Sequence, residues 1–272
     1  MAEGLPLAGT RVLELTTVIA GPATGGLLAD WGADVVRVEP PGGDGFRQMY
    51  KGVPGLEASA PSQLSPGFYV DNRSKRAAEL DLRQPDAFDA FHKLLARSDV
   101  FVSNYRLAAL ARLQLDPETL RQLYPRLVIA VISGYGSTGP EKDTAGYDMA
   151  AFWARSGAAD SFRPEAQEFS SLIPGGFGDH TTALAAAGGI AAALVKAAKT
   201  GEGSVVETSL LRTGIYANSC APLSPSPLPL FPWPVSLTWL LPDVQGRSRT
   251  RWQMEGRTCR AGSIRSKGPS PL

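Results

Sequence analysis

The sequence predicts an α/β fold: a mostly parallel sheet with flanking helices, followed by an irregular tail. Three observations predict it. Short β-branched segments alternate with amphipathic or Ala-rich ones from about residue 11 to residue 217. One of the short segments, residues 127–133 (LVIAVIS), is apolar throughout, as a parallel strand covered on both faces must be. At about Cys220 the alternation stops, and residues 221–234 (APLSPSPLPLFPWP) are too rich in proline for helix or central strand.

Taken in order, residues 11–16 (RVLELT) read as a strand, closed by Gly21-Pro22. Pro22 suits the first position of a helix running to Trp31, and Gly32 is a natural stop. Residues 34–39 (DVVRVE) form the next strand, ended by Pro40-Pro41. This β-α-β unit implies parallel strands with a right-handed crossover. Residues 78–82 are a short strand, and 85–97 a helix with Phe88, Phe91, Leu94 and Leu95 on one face. Residues 100–103 are a strand, and 117–124 a helix capped by Asp116. A helix over 145–157 and a Gly-containing loop over 170–178 precede a long Ala-rich helix that Asp179 opens and Gly201 ends. Residues 204–208 are the last strand, and 209–217 the last helix. Residues 1–219 thus read as one large, Rossmann-like domain. Residues 220–272 read as a Pro-rich, basic tail, disordered or non-native, and not as a second domain.

Composition narrows the function. A net charge of +1 gives no reason to expect nucleic-acid binding. Two cysteines, Cys220 and Cys259, are too few for a disulfide framework and fit a reducing compartment. With His92 and His180 the only histidines, no metal site is expected. The N-terminus has neither secretory nor transit character; a cytoplasmic location is the expectation, with mitochondrial and peroxisomal ones as alternatives. Residues 181–198 are apolar but mostly Ala and Gly, which favours a buried helix over a membrane span.

Three features carry chemistry. Gly21, Gly25 and Gly26 follow the first strand, but their G-x-x-x-G-G spacing is not the G-x-G-x-x-G of dinucleotide sites; the glycines read as packing residues. Asp179, after Gly178 at a helix start, reads either as a plain cap or as a carboxylate nucleophile kept ionised by amides and the helix dipole. Arg37, Arg73, Lys75, Arg76, Arg83, Arg106 and Arg112 lie near strand ends, where they would either hold a phosphate-bearing ligand or remain solvated.

Eight segments in order, PLAGTRVLELTTVIAGP, LADWGADVVRVEPPGGD, NRSKRAAELDL, SDVFVSNYR, YPRLVIAVISGYGSTGP, AGYDMAAFWARSG, GDHTTALAAAGGIAAAL and KTGEGSVVETSLL, resemble the class III (CaiB/BaiF) CoA-transferase family, which includes formyl-CoA transferase and α-methylacyl-CoA racemase. They cover roughly residues 5–215. The resemblance implies the large domain of that fold and transfer of CoA from an acyl-CoA to a small carboxylic acid through aspartyl-acyl anhydrides. It matches Asp179 to the catalytic aspartate, and Val18 and Ala20 to positions at the thioester end. Leu80 and Arg83 match positions at the CoA nucleotide, Asn104 and Tyr105 a pair packing around CoA, Arg112 a phosphate contact, and Tyr135 an aromatic beside the CoA chain. It implies acyl-CoA as substrate, with no permanently bound cofactor, no metal, no nucleic acid and no membrane. It also implies an interlocked homodimer, and a chain truncated relative to the family.

The alternatives are a racemase-like enzyme and a defective fragment. A racemase needs an acid/base pair, and Tyr147 stands where the racemase has His. The chain departs from the family in residues 104–108 (NYRLA), where Asn-x-x-Pro-Gly is usual, and at Ile19, where formyl-CoA transferase has Gln.

Overall fold

The structure, a computed structural model, describes residues 4–48, 65–162 and 175–219. The chain divides into two compact units, 1–222 and 223–272, and the described residues all lie in the first. The tail, both cysteines and residues 170–174 of the expected loop fall outside them.

Six strands form one parallel sheet: β1 (Arg11–Leu15), β2 (Asp34–Glu39), β3 (Arg76–Glu79), β4 (Val100–Ser103), β5 (Val128–Ser133) and β6 (Val205–Ser209), in the order β3-β2-β1-β4-β5-β6. The helices are α1 (Ala20–Asp30), α2 (Pro66–Asn72), α3 (Pro85–Leu95), α4 (Leu107–Arg112), α5 (Pro117–Leu123), α6 (Ala158–Ser161), α7 (Phe177–Thr200) and α8 (Leu210–Ala217).

Alternation along the strands sorts two cores onto the two faces. Val12, Val35, Val100, Val128, Ala130 and Ile132 pack with Leu28 of α1 and with Ala186, Ala187 and Ile190 of α7. Leu13, Leu15, Phe101, Ile129 and Val131 pack on the other face with Phe91 of α3, Leu110 of α4 and Leu120 of α5. Burying each such Val, Leu, Ile or Phe contributes about 1.5–3 kcal/mol. Strand β5 lies between β4 and β6 and is covered on both sides, which is why its sequence is apolar without interruption. Helix α7 is long and apolar enough to cross a membrane, yet its Ala183, Ala186, Ala187 and Ile190 are buried in the core.

Most boundaries fall within two residues of the sequence reading, and four differences bear on the site. Helix α1 starts at Ala20, so Pro22 is its third residue. Strand β3 is Arg76–Glu79: the last bond from β2 is the Glu39 carbonyl accepting from the Leu80 amide at 2.9 Å, and Pro40-Pro41 beyond it have no amide hydrogen with which to continue the ladder. In place of a helix over 145–157 there is a π-helical turn, Asp148–Ala154, followed by α6. The chain before it runs against the end of β5, where a Cβ on Gly146 would lie 3.0 Å from Gly134 Cα, and helix begins only after that crossing. Helix α7 opens at Phe177, with Gly176 (φ 80°) as N-cap, two residues before Asp179.

The Gly-rich start of α1 is explained by packing. A Cβ on Gly25 would lie 1.9 Å from Glu14 Oε2, and one on Gly21 2.6 Å from Thr16. These glycines let α1 lie directly on the end of β1, as the packing reading expected.

Candidate active site

The sheet order reverses between β1 and β4: from β1 the chain steps outward to β2, and β4 returns on the other side. The loops leaving these two strands diverge, and a cleft opens at the carboxyl ends of the strands, where such sheets bind ligands. Its volume is about 460 Å³, and it is lined by Val18, Ala20, Asn104, Tyr105, Arg112 and Asp179 among others. Leu80 and Arg83 line a neighbouring hollow of about 380 Å³, and Tyr105 borders both. Tyr135 is not in the cleft wall. Its ring lies behind Gly146, where a Cβ would come within 2.7 Å of it, and it packs on the cluster around Phe152 and Trp153.

Asp179 is the third residue of α7 and not its cap. The capping task falls to Asp148, whose Oδ2 accepts from the Gly176 amide at 2.8 Å. Gly178 permits this approach: a Cβ there would meet Asp148 Oδ1 and the Phe152 ring at 2.2 Å. Asp148 is buried, and its Oδ1 has no hydrogen-bond partner among the described residues. Burial raises its pKa, against the pull of the Gly176, Gly178 and Asp179 amides and of His180. The effect on Asp179 reverses the sequence expectation. Burial, then the Asp148 charge, push its pKa from 3.8 up to about 7, with Asp71 adding and His180 opposing. The carboxylate expected to be held ionised by capping is instead pushed toward its protonated form by burial and by the Asp148 charge, and the Gly176 amide goes to Asp148.

The turn from β1 into α1 lines the same cleft as Asp179. Val18 there has φ 64°, the left-handed region that a β-branched residue rarely enters. Three groups hold it. Asp44 Oδ2 accepts from the Val18 amide and Asp44 Oδ1 from Thr17 Oγ1, each at 3.0 Å. The Asn104 carboxamide accepts from the Thr17 amide at 2.9 Å and donates to the Thr17 carbonyl at 2.7 Å. Arg37 anchors Asp44 from below through an ion pair. The Val18 amide and the Asn104 side chain are therefore occupied. Among the described residues the Ile19 and Ala20 amides have no acceptor, and they stand at a helix N-terminus where such donors are free.

The basic residues separate into two groups. Arg37 is buried with Glu14, Glu39 and Asp44, and Lys75 Nζ is 2.8 Å from Glu14 Oε2. These two are not ligand contacts, since an unpaired buried carboxylate would be far more costly than an exposed cation. Arg73, Arg76 and Arg83 pair at the surface with Asp30, Asp34 and Asp81. Arg106 and Arg112, joined by Lys142, line the cleft with no ion-pair partner among the described residues. His180 does point away from the cleft: its Nε2 is 2.8 Å from Oδ1 of Asp71, a carboxylate only 2% exposed.

Sequence reading missed Asp44, Asp71, Asp148 and Lys142. Asp44 and Asp148 lie inside segments that resemble the family, PPGGD and AGYDMA, but nothing local marks them as partners of Val18 and Gly176. Asp71 lies on α2, which no periodicity announced.

Residues 7–225 match the profile of CoA-transferase family III. Among curated proteins, the chain is 38% identical over 210 residues to (R)-2-hydroxy-4-methylpentanoate CoA-transferase of Clostridioides difficile, covering 77% of this chain and 52% of that one. It is 37% identical over 209 residues to cinnamoyl-CoA:phenyllactate CoA-transferase of Clostridium sporogenes, covering 77% and 50%. Among solved structures, a CAIB/BAIF family protein from Brucella suis superposes with a TM-score of 0.69 at 30% identity, over 79% of this chain and 56% of that one. The chain spans about half the length of the curated relatives it matches.

Proposed function

Because this chain belongs to CoA-transferase family III, we propose that it moves CoA from an acyl-CoA thioester to a carboxylic acid, with Asp179 as the nucleophile. The observation that carries the reading is that one cleft is lined by Asp179, by the β1–α1 turn with its free Ile19 and Ala20 amides, and by Arg106, Arg112 and Lys142.

The chemistry then balances in four steps. The Asp179 carboxylate attacks the donor carbonyl carbon, the C–S bond breaks, and CoA leaves as thiolate with an aspartyl-acyl anhydride behind it. The thiolate attacks the aspartyl carbonyl of that anhydride, which releases the donor acid and leaves an aspartyl-CoA thioester. The acceptor carboxylate attacks this thioester and expels the thiolate, giving a second anhydride. The thiolate finally attacks the acceptor's acyl carbon, and Asp179 is restored as carboxylate. Each addition places negative charge on a carbonyl oxygen, and the Ile19 and Ala20 amides are the donors suited to it. A near-neutral pKa makes Asp179 a more basic nucleophile than an ordinary carboxylate.

The three cations suit the phosphates of CoA. Leu80, Arg83 and Tyr105, around the neighbouring hollow, suit its nucleotide. Tyr147, 70% exposed in the cleft wall, and the exposed Phe177 favour an apolar acyl group. Two relatives are named for branched or aromatic 2-hydroxy acids, so we place such acids first among acceptors.

The test is an acyl-CoA exchange assay on the full chain, with hydroxylamine added to trap activated Asp179 for mass spectrometry. Asp179→Ala should abolish both exchange and trapping. Undiminished exchange in that variant would end the nucleophile assignment.

A further inference from the structure

The described surface offers a second constellation beside the nucleophile that the transfer steps leave unused. His180 follows Asp179 directly, so the two side chains leave adjacent positions of the first turn of α7. The charged groups facing His180 are Asp71 from α2, Asp179 on its own helix and Asp148 from the π-helical turn. Lys75, paired with Glu14, faces Asp71 from behind. One imidazole thus interacts electrostatically with three carboxylates, one of them bonded to its ring. Two of them, Asp71 and Asp148, are buried, and Asp71 is fixed on the ring at 2.8 Å.

We propose that Asp71 and His180 act as a positioning pair that sets the ionisation of Asp179: Asp71 holds His180 as imidazolium, and that cation keeps Asp179 a carboxylate despite burial and the adjacent Asp148. The proposal deepens the reading of Asp179 as nucleophile and rests on it. An ordinary surface His–Asp contact between α2 and α7 would contribute little and would not involve the neighbouring residue. Here the carboxylate on the far side of the ring is nine-tenths buried and has no route to solvent hydration, so it favours the charged ring strongly. In support, the Asp71 hydrogen bond raises the His180 pKa, and His180 is the one group that lowers that of Asp179. Because the sites interact, their titrations are coupled.

The pair acts on a step that needs it. Attack on the thioester requires an anion, and Asp179 alone would be protonated over much of the neutral range. Once Asp179 is acylated and neutral, His180 remains charged through Asp71, so no proton moves as the covalent intermediates interconvert.

The experiment is NMR titration of the full 272-residue chain. With two histidines, His92 and His180, the imidazole signals are assignable from one His92 variant. Asp179 is followed by its carboxyl carbon, assigned from Asp179→Asn. In the unmodified chain His180 should titrate above the ordinary imidazole value. Asp71→Asn should bring that midpoint down, and His180→Gln should move the Asp179 midpoint above its starting value. In the exchange assay, His180→Gln should shift the acidic limb to higher pH by the same amount, with activity about tenfold down one pH unit below the new midpoint and recovered above it. An Asp179 midpoint that does not move in His180→Gln overturns the proposal, as does a His180 midpoint unmoved by Asp71→Asn. Should Asp71→Asn fail to fold, His180→Gln, at a half-exposed side chain, decides alone. A merely structural tie would lower stability in His180→Gln and leave the Asp179 midpoint in place. Full activity in Asp179→Ala would overturn the nucleophile assignment instead, without touching the titrations.

Discussion

Replacing Asp179 with Asn should stabilise the protein progressively as pH rises from about 4 to about 7, with the full gain above that and none at lower pH. The Asp179 carboxyl titrates at about 7 in the folded chain against 3.8 for the ordinary group. A raised folded pKa means that the folded state binds the proton more tightly than the unfolded one. That advantage is complete below 3.8 and is lost as pH rises through about 7. At about 1.4 kcal/mol per pH unit, the full difference is roughly 4.5 kcal/mol. Solvent at the cleft wall screens part of it, so about 2–4 kcal/mol is expected. Asn keeps the shape and removes the charge. Urea denaturation of both proteins should therefore give nearly equal midpoints near pH 4 and a midpoint higher by roughly 1 M for Asp179→Asn near pH 8.5. A gain of the same size at both pH values, or no gain at pH 8.5, would refute the claim that Asp179 is held as an anion against burial and Asp148.

Two further perturbations follow from the cleft. Val18→Gly removes a β-branched residue from the left-handed region, so unfolding should become harder by roughly 0.5–1 kcal/mol. Exchange activity should fall in the same variant, because a looser turn aims its amides less well; activity equal to or above the parent's would show that the turn's geometry is not used. Arg112→Ala and Arg106→Ala should each weaken CoA binding about threefold to tenfold in calorimetry at low salt, and should flatten its salt dependence. Unchanged affinity at low ionic strength would remove these cations from the phosphate site.

Much of the architecture was legible because one local property determined it. Residues 127–133 carry no polar side chain before Ser133, and only a strand covered on both faces requires that. Asp116 caps α5 by accepting from Thr119, an interaction three residues long. Strand β3 was misplaced because its limits are set by β2 and the proline pair beyond it, some forty residues away. The same distinction runs through the cleft. Gly178-Asp179 marked the proposed nucleophile's position, but its raised pKa follows from burial first and then from Asp148 and Asp71, which tertiary structure brings to it, against His180 beside it in the chain. Arg37 and Lys75 look like phosphate ligands in sequence, since their carboxylate partners are invisible there. Asn104 and Tyr135 occupy segments that resemble the family's, yet the structure spends one on the Thr17 backbone and places the other behind the wall.

The left-handed turn at Val18 also bears on the order in which the molecule assembles. Its supports are remote: Asp44 lies 26 residues away, and Asn104, which holds Thr17, lies 87 away. Neither exists as a constraint until β2 and β4 have docked on either side of β1. Left to itself the Val18 backbone relaxes to an extended conformation. The turn is therefore among the last parts to form and the first to open, and its amide should exchange with solvent sooner than those of β1 beside it. A chain halted with its sheet complete but the β4 loop undocked would have nearly all its secondary structure and no formed cleft.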